Sequence, residues 1–167
     1  MVRLFWILFF IISTTSCSTT QVKLISVGDI LDVTALENQH GKFFENPSAL
    51  ELLLYVNGMT AKDVARASIE KIDLQCLTEG RVAYVADISG MPNIISHLVA
   101  VPRMRDYPYP IWLDYDGAST KQLPVKEGNV SVIDIEQGKI TNMEFISEES
   151  ILTKRLISRC GKGINRN

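Results

Sequence analysis

The sequence predicts an α/β sandwich, a mixed central sheet flanked by helices on both faces, and three observations predict it. Leu50 to Val56 and Arg81 to Ile88 are nearly continuous apolar runs of strand length on either side of a helical pattern. Val130 to Ile135 and Lys139 to Phe145 flank a Gln137-Gly138 turn, and an amphipathic helix follows Ser147. The first pair makes a β-α-β unit and the second an antiparallel hairpin, so a sheet that holds both is mixed.

Taken in order, Asn38-Gln39-His40-Gly41 has turn chemistry between Val33 to Leu36 and Lys42 to Phe44, which predicts a small N-terminal hairpin. Leu50 to Val56, apolar except for Glu51, is a central strand covered on both faces. Thr60 with Asp63 three residues on forms a capping-box-like start. Ala61, Val64, Ala65, Ser68, Ile69, Ile72 and Cys76 then recur at helical spacing until Gly80. Arg81 to Ile88 is the second buried strand, and the crossover between the two is right-handed. Pro92 suits the first turn of a helix that carries Ile94, Ile95, Leu98 and Val99 on one side and yields to Pro102. Pro108 and Pro110 introduce the strand Ile111-Trp112-Leu113 and the Asp116-Gly117 turn. In the last helix Glu148 and Glu149 favour the N-terminal dipole and Lys154, Arg155 and Arg159 the C-terminal half. Ile151, Leu152, Leu156 and Ile157 supply its apolar side.

The chain has 167 residues with 17 Lys+Arg against 19 Asp+Glu, a balance that excludes the basic excess of a nucleic-acid binder. Arg3 precedes the uncharged segment Leu4 to Ile12, and the small polar run Ser13-Thr14-Thr15-Ser16 leads to Cys17. Nine apolar residues are too few to span a bilayer. Cys17 is placed as in the bacterial lipobox, where a small residue precedes a lipidated cysteine, although Thr14 stands where that pattern usually has Leu. The expected organisation is a lipoprotein signal peptide over residues 1–16, preferred to an ordinary cleaved secretory signal and to an uncleaved anchor, and a lipidated N-terminus and tether over 17–26. One domain over 27–160 and a basic tail over 161–167 complete it. Ser18 after the cysteine resembles the sorting pattern of outer-membrane lipoproteins. The expected location is thus the cell envelope, facing the periplasm, with lipid on Cys17 as the membrane partner. Acylation of Cys17 leaves Cys76 and Cys160 as an even pair.

Val27-Gly28-Asp29 through Leu36, then Gln39-His40-Gly41-Lys42, resembles the opening of redoxin and peroxiredoxin domains. Val130 to Asp134 with Gln137-Gly138-Lys139-Ile140 resembles their late hairpin. The element order, hairpin, β-α-β, helix, strand, hairpin, helix, is that of a thioredoxin-type sandwich. Val85-Ala86-Asp87-Ile88-Ser89-Gly90-Met91-Pro92 and Pro102-Arg103-Met104-Arg105-Asp106 also look like blocks of an uncharacterised bacterial thioredoxin-like group. The resemblance covers about residues 27 to 158 and implies a nucleophilic thiol after the first central strand, at a helix N-terminus where backbone N–H groups stabilise thiolate. Here that position reads Asn57-Gly58-Met59-Thr60-Ala61-Lys62-Asp63, with Asp63 aligned to the peroxidatic sulfur. A carboxylate cannot undergo thiol–disulfide exchange. The proline that usually precedes the late hairpin is replaced by Gly128-Asn129.

These departures point to a domain without redox chemistry, an accessory or binding module for another envelope protein. The alternative is an envelope thiol–disulfide oxidoreductase using Cys76 or Cys160. Both cysteines fall near helix C-termini, in the first and last predicted helices, which lie on one face in the family fold. A bridge between them is geometrically allowed, while two separate buried thiols are the plainer reading. His40 and His97 are the only histidines and lack ligand-like neighbours, so no metal and no cofactor are expected. Ser89-Gly90 lacks the rest of a nucleophile elbow.

A binding site belongs where the loops Asn57 to Asp63, Asp87 to Pro92 and Lys126 to Asn129 meet, at the C-terminal ends of the parallel strands. The candidates are Asn57, Met59, Thr60, Asp63, Asp87, Ser89, Met91, Pro92, Arg105 and Asn129, with Lys62 a further cation. For each, the plainer role is a cap, a strand-end bond, a core methionine or a surface ion pair. Tyr107, Tyr109, Trp112 and Tyr115 form the richest aromatic stretch, either a contact edge or, for Trp112 above all, part of the core.

Overall fold

A computed structural model describes residues 22–161 and 163. The segments expected to be a signal peptide and the start of a tether, with Cys17, and most of the expected basic tail lie outside the described residues. Among those described, no helix is long and apolar enough to cross a membrane.

The elements are β1 (Glu37–Asn38), β2 (Leu52–Asn57), α1 (Met59–Ile69), α2 (Gln75–Thr78), β3 (Val82–Asp87) and α3 (Asn93–Ile95). A π-helical turn (Ser96–Ala100), α4 (Val101–Met104), β4 (Trp112–Asp114), β5 (Val130–Glu136), β6 (Lys139–Ile146) and α5 (Glu149–Cys160) follow. They build one mixed sheet in the order β1-β4-β3-β2-β5-β6. β2, β3 and β4 run parallel, while β1, β5 and β6 are antiparallel to their neighbours. This is the predicted fold class. The late hairpin closes through Gln137 (φ 51°) and Gly138 (φ 77°), two successive left-handed residues of the kind a tight hairpin turn requires.

Strand alternation divides the core. Leu52, Leu54, Val56, Tyr84 and Ala86 face α1, α5 and Val101 of α4, whereas Leu53, Tyr55, Ala83 and Val85 face the opposite side. That second side is covered by Val33, Leu36, Phe44 and Leu50 from the N-terminal segment and by Leu123, not by the helical layer the sequence predicts. The cause is topological. Both crossovers, β2 to β3 and β3 to β4, step the same way across the sheet, and right-handedness then puts their helices on one face.

Four local expectations are corrected. The Asn38 to Gly41 turn forms, with Asn38 N–H donating to Lys42 O at 2.9 Å, but Glu37–Asn38 pairs chiefly with β4 and meets the return segment through one Glu37–Phe43 bridge. The predicted helix from Thr60 to Gly80 breaks after Ile69. Asp73 Oδ1 accepts the Gln75 N–H at 3.0 Å, a local bond that restarts the chain as α2, so Cys76 belongs to that short helix. The third helix does not yield to Pro102. It passes through the π-helical turn, where wider pairing absorbs the missing donor and the ring's clash with the preceding turn, and continues to Met104. On its predicted apolar side, Ile94 and Leu98 are 73% and 72% exposed.

The fourth concerns the cysteines. Instead of two separate thiols, Cys76 and Cys160 are bonded, with Cα atoms 5.4 Å apart. Asp73 N–H donates to Gly161 O (3.3 Å) and Gly163 N–H to Lys71 O (3.1 Å), tying the start of the tail to the same corner. On the same face of the sheet, buried Asp134 binds Arg155, Arg159 (3.0 Å) and Asn142 (3.2 Å), joining α5 to the hairpin.

Candidate functional site

β2 and β3 end in register at Asn57 and Asp87, and the Asn57 amide donates to Asp87 Oδ2 at 2.8 Å. The chain then turns through Gly58 at φ 101° and ψ 166°, a conformation side chains other than glycine's rarely adopt, and enters α1 at Met59. Gly58, not Thr60, caps α1, and no side chain bonds the helix start. The turn opens a cleft of about 710 Å³ between α1, the end of β3 and the α3–α4 helix. This is the size of an ordinary small-molecule site.

Its floor is apolar: Val56, Tyr84, Ala86, Met104, Tyr109 and Ile111. Met59, Met91, Ile95 and Val99 form its sides. Lys62 and Arg66, one helical turn apart on α1, and Arg103 on α4 supply three cations. Arg66 lies 3.9 Å from Asp63 on its own helix, and Lys62 and Arg103 make no ion pair among the described residues. Asp87, also in the lining, already accepts the Asn57 amide and, through Oδ1, the Ser89 N–H at 2.9 Å. Burial pushes the Tyr84 and Tyr109 hydroxyls up, so both stay protonated.

The mouth is braced from behind. The Tyr55 hydroxyl reaches Thr120 Oγ1 at 3.3 Å and Asp87 Oδ2 at 3.5 Å, and burial pushes its pKa up. Buried Asp114 accepts Gly117 N–H (3.0 Å) and Thr120 N–H (2.7 Å), and its carbonyl accepts Ile88 N–H (2.9 Å). Gly117 packs so close to Ser89 that a Cβ there would meet Oγ at 3.0 Å.

Of the candidates read from sequence, Asn57, Met59, Asp87, Ser89 and Met91 line the cleft, as does Lys62. Thr60, Asp63, Pro92, Arg105 and Asn129 do not. Asp63 is exposed on α1, beside Arg66. Arg105 donates through Nε to Gln39 O at 3.0 Å, and Asn129 donates to Glu127 O at 2.8 Å within its own loop. That loop approaches α1 where Gly128 faces Thr60. Tyr107 and Tyr109, read from sequence as part of an aromatic stretch, also line the cleft, while Arg66, Arg103 and Tyr84 were missed. Arg66 was findable, four residues after Lys62; Arg103 carried no signal, because only the fold sets α4 opposite α1. Trp112 is buried against Phe44, ring centroids 4.7 Å apart, which makes it core. Among the described residues no group of three or more His, Cys, Asp or Glu is arranged to hold a metal ion.

The disulfide is remote from this cleft. Cys76 precedes β3 and Cys160 ends α5, at the end of the sheet where the parallel strands begin, roughly 20 Å of strand away. The one carboxylate of the cleft, Asp87, is already bonded, and the buried Tyr84 and Tyr109 phenols stay protonated.

No protein-family model and no curated protein matches the chain. Solved structures do resemble it. A proposed protein disulfide isomerase from Bacteroides thetaiotaomicron aligns at a TM-score of 0.52 and 17% identity, covering 80% of this chain and 89% of its own. Peroxidoxin BcpB from Mycobacterium tuberculosis aligns at 0.48 and 14%, covering 79% and 94%. A thioredoxin-like protein from Porphyromonas gingivalis aligns at 0.43 and 15%, covering 82% and 95%. At such identities the likeness is one of fold, and the fold is thioredoxin-like.

Proposed function

We propose that this thioredoxin-like chain is a lipid-anchored binding or accessory module of the cell envelope, held by lipid on Cys17 and working without thiol chemistry. One observation carries the non-redox part. The position after the first central strand, where the fold family presents sulfur, holds Asn57-Gly58-Met59 at the lip of an apolar, cation-bearing cleft, and both bonded cysteines lie at the other end of the sheet. Fold alone decides no activity. The lipid anchor has only the sequence behind it: the apolar segment and the lipobox-like Cys17.

The test is turnover. In insulin-reduction and peroxide-consumption assays the purified protein gives background rates. Turnover abolished by Cys76→Ser or Cys160→Ser overturns the reading in favour of an envelope thiol–disulfide enzyme, which the partial exposure of Cys160 favours. That enzyme also predicts, after mild reduction, a thiol alkylated rapidly near neutral pH. Labelling with radioactive palmitate, lost in Cys17→Ala, tests the anchor.

A further inference from the structure

We infer that the cleft binds a single-chain amphiphile with an anionic head, an acyl carboxylate or phosphate monoester, a reading that deepens the binding function proposed above by naming its ligand. Two properties of the lining select this class. The floor and sides are aliphatic, thioether and aromatic surface, which rewards a hydrocarbon body at about 0.8 kcal/mol for each methylene buried. The charged groups are unbalanced: Lys62 and Arg103 face the cleft from two helices without an ion pair among the described residues, and Arg66, 3.9 Å from Asp63, adds a third cation, against Asp87, whose oxygens already accept the Asn57 amide and the Ser89 N–H. An anion placed beside Lys62 or Arg103 accepts charge-assisted hydrogen bonds from it.

A bound peptide fits less well. It brings a backbone donor and acceptor with every residue, and each needs a partner once buried. On Asn57, Asp87 and Ser89 several polar atoms of the lining already bond each other. A methylene chain makes no such demand along the apolar length. The neutral Tyr84 and Tyr109 hydroxyls add no repelling charge.

The experiment is displacement of a fluorescent fatty-acid probe from the purified protein. Dodecanoate, dodecyl phosphate, dodecanol and acetate are the competitors. Either anionic amphiphile is expected to displace the probe, the tighter one identifying the head. Dodecanol should bind at least tenfold more weakly, and acetate should not compete at millimolar concentration. Lys62→Gln and Arg103→Gln should each weaken dodecanoate by about tenfold, the loss of one charge-assisted bond, with an unchanged thermal midpoint. Lys154→Gln on the exposed side of α5 should leave affinity unaltered. Dodecanol binding as tightly as dodecanoate, equal affinity in the Lys62 and Arg103 variants, or no probe binding by the folded protein each overturns the inference. Any of these with background thiol turnover removes the ligand class and leaves the binding module; cysteine-dependent turnover removes the module itself.

Discussion

Reduction of the Cys76–Cys160 bridge should cost this protein a large part of its stability. The two cysteines are 84 residues apart, so the bridge closes most of the domain into one loop in the unfolded chain. The chain-entropy relation gives about 15 cal/mol/K for a loop of that length, or about 4.5 kcal/mol at 25 °C. Measured bridges generally deliver less, and about 3–4 kcal/mol is the working expectation. With a urea dependence of about 1.5–2 kcal/mol/M, the midpoint of the reduced protein should fall by about 2 M. The thermal midpoint should drop by about 10–15 °C. The assay is urea unfolding followed by circular dichroism on one preparation, with and without a phosphine reductant, which leaves the sequence and packing atoms unchanged. Oxidised and reduced forms that unfold within 1 kcal/mol of each other would refute the loop argument. Free thiols at both positions in a non-reduced peptide map would remove its premise.

Gln39→Ala should destabilise by about 2–4 kcal/mol in urea unfolding. Gln39 is buried, receives the Ile111 N–H (2.8 Å) and donates to Tyr109 O (2.8 Å), and both backbone groups lose their partner. Asp134→Asn should cost about 2–3 kcal/mol by the same measure, less than for a fully buried pair, because the Arg155 and Arg159 side chains are 27% and 32% exposed. Gln137→Asn should stabilise by about 0.5 kcal/mol, since asparagine tolerates the left-handed conformation better; an unchanged or lowered midpoint rejects the turn argument. Alkaline pH should unfold the protein cooperatively. Burial raises Tyr55, Tyr84 and Tyr109, so above about pH 10 the folded state holds protons the unfolded chain releases, and stability falls as pH rises. Phenolate absorbance from these three should appear together with loss of circular dichroism; ionisation near pH 10 with structure intact contradicts it.

What was legible in the sequence was whatever local periodicity encodes. Leu52 to Val56 and Val82 to Ala86 are buried on both faces and therefore apolar without interruption, and the late hairpin announces itself through Gln137-Gly138. Where tertiary contacts override local pattern the reading failed. Ile72 and Cys76 keep helical spacing with Ile69 and are buried like it, yet a side-chain bond from Asp73 places them on a turn and a second helix. Ile94, Ile95, Leu98 and Val99 resemble a core stripe, but Ile95 and Val99 line a cleft and Ile94 and Leu98 face solvent. Half the cleft was readable because strand ends and the start of α1 are adjacent in sequence. The other half, Arg103 through Tyr109, is opposite α1 only because both crossovers share a face.

The covering of the second core by the N-terminal segment also governs how the domain is made. Val33, Leu36 and Phe44 leave the ribosome early, but Leu123, Ile133 and Ile140, which they pack with, come roughly 100 residues later. At usual synthesis rates that is about 5–20 s with those side chains lacking these late neighbours. Nascent chains arrested before the late hairpin should therefore bind chaperones through residues 31–50, and release should coincide with the emergence of β5 and β6.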